Sequence, residues 1–407
     1  DRGMSQGQVI AIDAMSGDAG PAPVVAGLAR ALRHLPDTRF LICGDEAEIG
    51  RQLARRRNAG LAGRVTLRHA PDVIRMDDLP TRALRTRRES SMWAALRAVR
   101  DGEAAVALSP GNTGALMLLA LIILRRAPGI DRPAIAVHWP ACQPHGFNTV
   151  LDVGADVRAE PRTLVQYAVM GAEYARLSFG LARPTVGLLN IGTEAHKGNE
   201  DLRLATETLG AIAGEADAPF THHGFVEGNH IGLDTVDVIV TDGFTGNIAL
   251  KTAEGTASFI RDGLKEAFSF SPLSRIGSLF AFTSLRRLKN RIDPRRVNGG
   301  VLLGLNGSVV KSHGGADAVG VAAAVRLAGR LAEGDITASV ARQLGRLDLS
   351  PLETGGRRDS PTAEPAAERD TAARVGSGLS VDGRAGEAPE ASGTGGGAAQ
   401  ATAEGSG

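Results

Sequence analysis

Cysteine is scarce in this chain: Cys43 and Cys142 are the two in 407 residues. Two isolated thiols build no disulfide framework, which fits a reducing cytoplasm. Charge of one sign is also lacking, with 46 Lys+Arg against 45 Asp+Glu. That balance excludes a general nucleic-acid binder, so no nucleic acid is expected as a partner. Long hydrophobic runs are missing too. The longest, residues 115–124, is too short to span a bilayer and reads as a buried helix ending at Arg125 and Arg126. The first residues are polar, and no secretory leader is expected from them. Aromatics make up only 4%. Standard catalytic signatures are absent as well. The G-x-S-x-G match at residues 3–7 precedes the first strand, whereas a nucleophile elbow must follow one. There is no P-loop, no G-x-G-x-x-G after a strand, and no Cys/His spacing that suggests zinc.

What is abundant is glycine, 52 residues, placed between short β-branched runs and helical patterns. Residues 9–12, 40–43 and 65–67 read as the first strands. Three later segments share one local grammar of strand, polar glycine turn and helix. They are 104–124 around SPGNTG, 186–213 around NIGTEAHKGNE, and 236–260 around DGFTGN. Strands alternating with helices predict an α/β protein with a mostly parallel, doubly wound sheet covered on both faces. In such sheets ligands bind outside the carboxyl ends of the strands. Those ends carry Asp13, Asn112, Asn190, Lys197, Asn199, Asp242, Asn247 and Lys311, which predicts polar chemistry gathered along one edge.

The richest stretch is residues 302–317, LLGLNGSVVKSHGGAD. Glycines and Asn306 open it, Val309 and Val310 form a strand, and Lys311, Ser312, His313, Gly314 and Gly315 precede a helix. A glycine turn at a helix start offers N–H donors and the positive helix end to an anion. Lys311 adds a charge, Ser312 a hydroxyl, and His313 a group that titrates near neutrality. With Lys197 and Lys251 these groups suit a phosphate clamp. Phosphate can itself be the nucleophile, which asks the protein only for positioning and charge stabilisation.

An ordered set of motifs carries a resemblance over about residues 9–331. They are AIDAMSGD (11–18), MDDLPTRALR (76–85), SPGNTGAL (109–116), PGIDRPA (128–134), LDVGAD (151–156) and QYAVMG (166–171). LLNIGTEAHKGNE (188–200), GFVEG (224–228), DGFTGNIALKT (242–252) and the run from Asp293 to Asp317 complete it. The chain resembles the acyl-carrier-protein:phosphate acyltransferases of bacterial phospholipid synthesis (the PlsX family). The resemblance implies a fold similar to the isocitrate and isopropylmalate dehydrogenases and to phosphate acetyltransferase. It implies attack of inorganic phosphate on a long-chain acyl carrier protein thioester, giving acyl phosphate for a membrane glycerol-3-phosphate acyltransferase. It also implies a homodimer with no metal and no organic cofactor. With that chemistry in mind, Lys311, His313, Asn190 and Asn247 are the catalytic candidates. Asp13, Asp18, Asn112, Lys197, Asn199, Asp242, Lys251, Asn306 and Ser312 are the substrate-binding candidates. Arg82, Arg85, Arg87 and Arg88 could meet the acidic carrier or be a solvated helix face. Ser16, Pro110 and Asp156 depart from the family's usual Gly, Ala and Asn, and Asp156 brings a charge near the expected anion site.

The layout expected is a disordered start (1–7), one catalytic body (8–350) and a disordered tail (351–407) with too little apolar content to fold. Residues 267–292 hold Phe268, Phe270, Phe280 and Phe282 beside five basic residues, broken by Pro272 and Gly277. They are expected to form two short helices at an anionic membrane surface or in a dimer interface, making the protein cytoplasmic and peripheral. Rival readings are an acyl-CoA-dependent phosphate acyltransferase, a nicotinamide-dependent dehydrogenase, and a non-catalytic scaffold for phospholipid enzymes.

Overall fold

The computed structural model describes residues 8–272, 274, 280, 281, 283, 284 and 299–352. The expectations for residues 1–7, for most of 267–292 and for 353–407 lie outside the described residues.

The chain opens with β1 (Val9–Asp13), α1 (Pro21–Ala31), β2 (Arg39–Gly44), α2 (Glu46–Leu53) and β3 (Val65–His69). It continues through α3 (Pro80–Thr86), α4 (Ser91–Arg100), β4 (Val106–Ser109) and α5 (Thr113–Ile123). Next come β5 (Ala134–Pro140), β6 (Phe147–Leu151), α6 (Pro161–Phe179), β7 (Thr185–Leu189), α7 (Glu200–Ala213) and β8 (Thr221–Val226). The described chain ends with β9 (Val238–Val240), α8 (Gly243–Ser269), β10 (Gly300–Leu303), β11 (Ser308–Lys311), α9 (Ala318–Glu333) and α10 (Ile336–Leu344).

All eleven strands form one sheet in the order β3-β2-β1-β4-β11-β10-β5-β6-β9-β7-β8. The inner strands are buried on both faces, so they read as largely apolar runs and alternate between two cores with the period of the pleat, while the edge strands β3 and β8 are more open. Ile10, Ile12, Val106, Leu108, Val310, Val301, Val238 and Val240 face α1, α6, α7, α9 and α10. Ala107, Val309, Leu302, Ile135, Val150 and Ile239 face the layer of α3, α4, α5 and α8. This is the doubly wound α/β architecture expected.

Strand direction is where the expectation needs correcting. β2, β3, β4 and β11 run parallel to β1. β10 is antiparallel to both β11 and β5, and β6 is antiparallel to β5. β9, β7 and β8 then follow β6 in parallel. The sheet therefore contains two parallel blocks of opposite direction. Their carboxyl ends point opposite ways, so the eight polar candidates do not share one edge. Asp13, Asn112 and Lys311 belong to the first block. Asn190, Lys197, Asn199, Asp242 and Asn247 belong to the second.

Two boundaries also differ. DGFTGN is the start of α8 rather than a turn before it: Asp242 caps the helix, accepting from the Thr245 N–H at 2.8 Å. At the other end, Leu352 is 7% exposed and packs in the core, so the folded body reaches past residue 350.

Candidate active site

Asp13 ends β1 with its carboxylate fully buried. Oδ1 accepts from Ser91 Oγ at 2.6 Å and from the N–H groups of Met15 and Ser16, and Oδ2 accepts from Ser109 Oγ at 2.6 Å. A carboxylate so occupied organises its surroundings and does not receive a phosphate. It ties together β1, the first turn of α4 and the end of β4. Ser109 lies level with Lys311 across the β4–β11 ladder. The Lys311 Nζ donates to the carbonyl oxygens of Pro110 and Ser312. Burial pulls its pKa down to about 8, Asp13 and Asp18 oppose that, and Lys251 adds to it. A cation held this way is poorly hydrated and available to an incoming anion.

The loop after Lys311 is built for close approach. Ser312 is fully buried, and its N–H donates to the Ser109 carbonyl at 2.9 Å. His313 is exposed, and its Nδ1 accepts from the Gly315 N–H at 3.1 Å. That bond leaves Nε2 as the donor of the neutral ring. Asp18 packs on the same loop: its N–H donates to the Gly314 carbonyl at 3.1 Å. A Cβ on Gly314 or Gly315 would stand 3.3 Å from an Asp18 carboxylate oxygen. Asp317 then caps α9, accepting from Val319 and Gly320 N–H at 3.0 Å. Asn112 caps α5 through Oδ1 and donates Nδ2 to the Met76 carbonyl at 2.7 Å, which brings residues 72–79 over the site. Its side chain positions loops rather than substrate. Ser16 places its buried Oγ in the same loop region with no hydrogen-bond partner among the described residues.

The second block organises its loops differently. Asp152, after β6, is fully buried and among the described residues accepts only backbone N–H groups. They come from Ile135 (2.9 Å), Gly154 (3.1 Å), Ala155 (2.9 and 3.0 Å) and Asp156 (2.7 Å). Burial raises its pKa against the opposing pull of those donors. The start of α8 leans on this loop. The Gly243 N–H donates to the Asp156 carbonyl at 2.7 Å, and Asn247 Nδ2 donates to the Val153 carbonyl at 3.1 Å. A Cβ on Gly246 would collide with the Asp152 carbonyl oxygen, so only glycine fits. Asp156 therefore serves here through its backbone. Asn190 is 9% exposed, donates to the Lys197 carbonyl at 3.2 Å and accepts from the Ile191 N–H at 2.8 Å, closing the 190–198 loop. Asn199 caps α7, accepting from Leu202 N–H at 2.8 Å.

The site residues thus separate. Lys311, Ser312, His313, Asp13, Asp18 and Asn112 come together. Lys251, about 12 Å along α8 from Gly243 by helix rise, is the second-block residue whose charge acts on Lys311. It is exposed and pairs with Glu254 at 2.7 Å. Asn306 sits in the β10–β11 turn, five positions back from Lys311 and about 16 Å away along the strand. It is at the wrong edge to share a ligand with Lys311. Ser91, Ser109, Met76 and Asp152 are organisers that the local sequence reading misses. Among the described residues no group of three or more His, Cys, Asp or Glu is placed to hold a metal ion, and no helix is long and apolar enough to cross a membrane.

Solved structures share this architecture. A phosphotransacetylase from Streptococcus pyogenes matches with a TM-score of 0.51 at 18% identity, covering 80% of this chain and 94% of that one. The EutD phosphotransacetylase from Staphylococcus aureus matches with a TM-score of 0.50 at 15% identity, covering the same 80% and 94%. At those identities the likeness speaks for the fold alone. The sequence goes further. The family model described as fatty acid synthesis protein matches residues 8–339. The phosphate acyltransferase of Jannaschia sp. (strain CCS1) is 55% identical over 348 residues, 82% of this chain and 94% of that protein. The phosphate acyltransferase of Dinoroseobacter shibae (strain DSM 16493 / NCIMB 14021 / DFL 12) is 53% identical over 362 residues, 89% and 91% of the two chains. The chain belongs to this phosphate acyltransferase family, and it is an acyltransferase.

Proposed function

We propose that the protein transfers a long-chain acyl group from acyl-acyl carrier protein to inorganic phosphate, forming acyl phosphate for phospholipid synthesis. The observation that carries the reading is Lys311. It is a lysine drawn out of water at the end of a central strand, followed by a glycine-bearing loop that enters a helix N-terminus. A phosphate oxygen attacks the thioester carbonyl carbon, the C–S bond breaks from the tetrahedral intermediate, and the carrier thiolate leaves and is protonated by solvent. Lys311 holds phosphate or the developing oxyanion, with His313 as a second donor. Thiolate is a good leaving group and needs little acid assistance.

The enzyme works as a homodimer in the cytoplasm, peripherally on the anionic inner membrane surface, and passes acyl phosphate to a membrane glycerol-3-phosphate acyltransferase. Support comes from α8, where only Gly243 and Gly246 are buried in 27 residues, while Phe259 within it and Phe270 just after it are 80% and 87% exposed. A helix this open calls for a second surface to cover it.

The test is incubation with palmitoyl carrier protein and phosphate, with acyl phosphate trapped by hydroxylamine. Phosphate-dependent thiol release is expected. Release that ignores phosphate would remove the assignment, and faster turnover of palmitoyl-CoA than of palmitoyl carrier protein would replace the donor.

A further inference from the structure

Between Leu79 and Arg88 the chain carries Arg82, Arg85, Arg87 and Arg88 and no carboxylate. The structure divides these four. Arg87 is half-buried and pairs with Asp72 at 3.3 Å, so it belongs to the fold. Arg82, Arg85 and Arg88 are exposed and have no ion-pair partner among the described residues. Arg97, on α4, joins them: the guanidinium groups of Arg88 and Arg97 stand 6.0 and 5.4 Å from the ring centre of Trp93. Stacking on a buried ring fixes where both cations sit and lowers the entropy lost when they bind a partner. Arg88, Arg97 and Arg68, the last of them paired with Glu103, line a cleft of about 370 Å³ between the end of β3 and α4. Of the carboxylates in the cleft wall, Asp101 is engaged by Arg100 at 2.7 and 3.0 Å, and Glu89 is the other.

This surface runs directly to the reacting centre. Pro80 at the start of α3 abuts Gly114, where a Cβ would stand 3.1 Å from Pro80 Cγ. Met76 gives its carbonyl to Asn112 and lies against Gly314 in the Lys311 loop. Met76 and Leu79 are 42% and 67% exposed, which puts apolar surface between the arginines and the site.

We propose that Arg82, Arg85, Arg88 and Arg97, with Leu79, form the docking surface for an acidic protein: the carrier domain that presents the acyl thioester to Lys311. The inference rests on the acyl-carrier reading above and adds where that partner sits. An excess of exposed positive charge, part of it on the wall of a recess, suits a folded partner with carboxylates on a convex helix. A lipid surface would favour a flat face with a broad apolar stripe, and here the apolar part is two residues. Such rim charges act mainly on encounter, so their removal appears in KM and in the salt dependence.

The experiment is the Arg82→Glu/Arg85→Glu/Arg88→Glu variant of the full chain, assayed for thiol release at low and high salt with two donors, palmitoyl carrier protein and palmitoyl-CoA. For the carrier donor, kcat/KM is expected to fall about 10–100-fold, in KM, with a flattened salt response. The palmitoyl-CoA rate and the melting temperature are expected to stay at wild-type values, and Arg→Lys at the same positions should restore the carrier KM. Unchanged carrier kinetics would overturn the proposal. So would loss of binding to vesicles of phosphatidylglycerol with carrier kinetics intact, which would assign the surface to lipid. If the triple variant does not fold, Arg85→Glu alone reads the same split between donors. A wild-type enzyme that turns over palmitoyl-CoA and never the carrier would instead remove the donor reading itself, before any variant is made.

Discussion

Asp13 and Asp152 are both buried carboxylates at the end of a strand, one in each parallel block, yet Asp13 is shared between two hydroxyls and two backbone N–H groups while Asp152 is held by backbone N–H groups. Asp13 takes its shortest bonds from the hydroxyls of Ser91 and Ser109. Among the described residues, every hydrogen-bond partner of Asp152 is a backbone N–H. A hydroxyl can turn and accept, whereas an N–H can only donate. The first block is therefore adjustable by side-chain exchange, and it is the block that holds the half-buried Lys311. The second is fixed by its own backbone and keeps Lys251 outside, paired with Glu254. In the proposed mechanism the chemistry falls to the first block and the framing to the second.

The largest expected effect tests that division. Lys311→Met should lower kcat for phosphate-dependent thiol release by about 10²–10³, the usual loss for a donor acting on developing charge. Lys251→Met should lower it less than about tenfold, because an exposed, paired lysine contributes little. An equal or reversed loss would move the chemistry to α8. Next comes stability. Asp152→Asn sets an amide N–H₂ against N–H donors on either oxygen, and should lower the unfolding free energy in urea by roughly 2–4 kcal/mol. Asp13→Asn can point its N–H₂ at Ser109 Oγ, and should lose about 1 kcal/mol or less. Similar losses in both would erase the contrast.

A third effect is on pH. With the Lys311 pKa near 8, kcat/KM should fall as pH rises through that value, and Lys311→Arg should move the falling limb upward. The sign for stability is opposite. The folded state holds fewer protons than the unfolded one between about 8 and 10.5, so this group's contribution to stability improves with pH across that window. Comparing urea midpoints of the wild type and Lys311→Met at pH 8 and pH 10 checks it. A comparably small effect is expected for Ser109→Ala, which removes one of four bonds to Asp13 and the acceptor of the Gly111 N–H, and should lower stability by about 1 kcal/mol.

The layered α/β architecture was legible because each turn carries its own chemistry: Asp242, Asn199 and Asn112 are helix caps, and caps are local signals. Lys311 at a strand end was legible for the same reason. Strand direction was not, because β10 pairs with β5 across more than a hundred residues and no local pattern records that. Asn306 was misplaced on that account. The partners of Asp13 lie 78 and 96 positions away, beyond any local pattern. α6 escaped the local grammar because it is buried without interruption from Thr163 to Ala175, which removes the alternation that marks a helix. Its length and the Gly180 stop, at φ 70°, were the signals available.

The β10–β11 pair has a consequence for how the chain is made. Both strands arrive near the end of the folded body, yet they lie between β4 and β5, which are far upstream. Until Lys311 has left the ribosome, β4 and β5 are open edges with no ladder joining the two blocks. A growing chain thus carries two unsealed, strongly apolar margins through most of its synthesis, and late closure of such non-local pairings is slow. A chain stopped short of residue 311 is not a smaller enzyme. It is a pair of exposed seams that will find the seams of other unfinished copies, and its fate is aggregation.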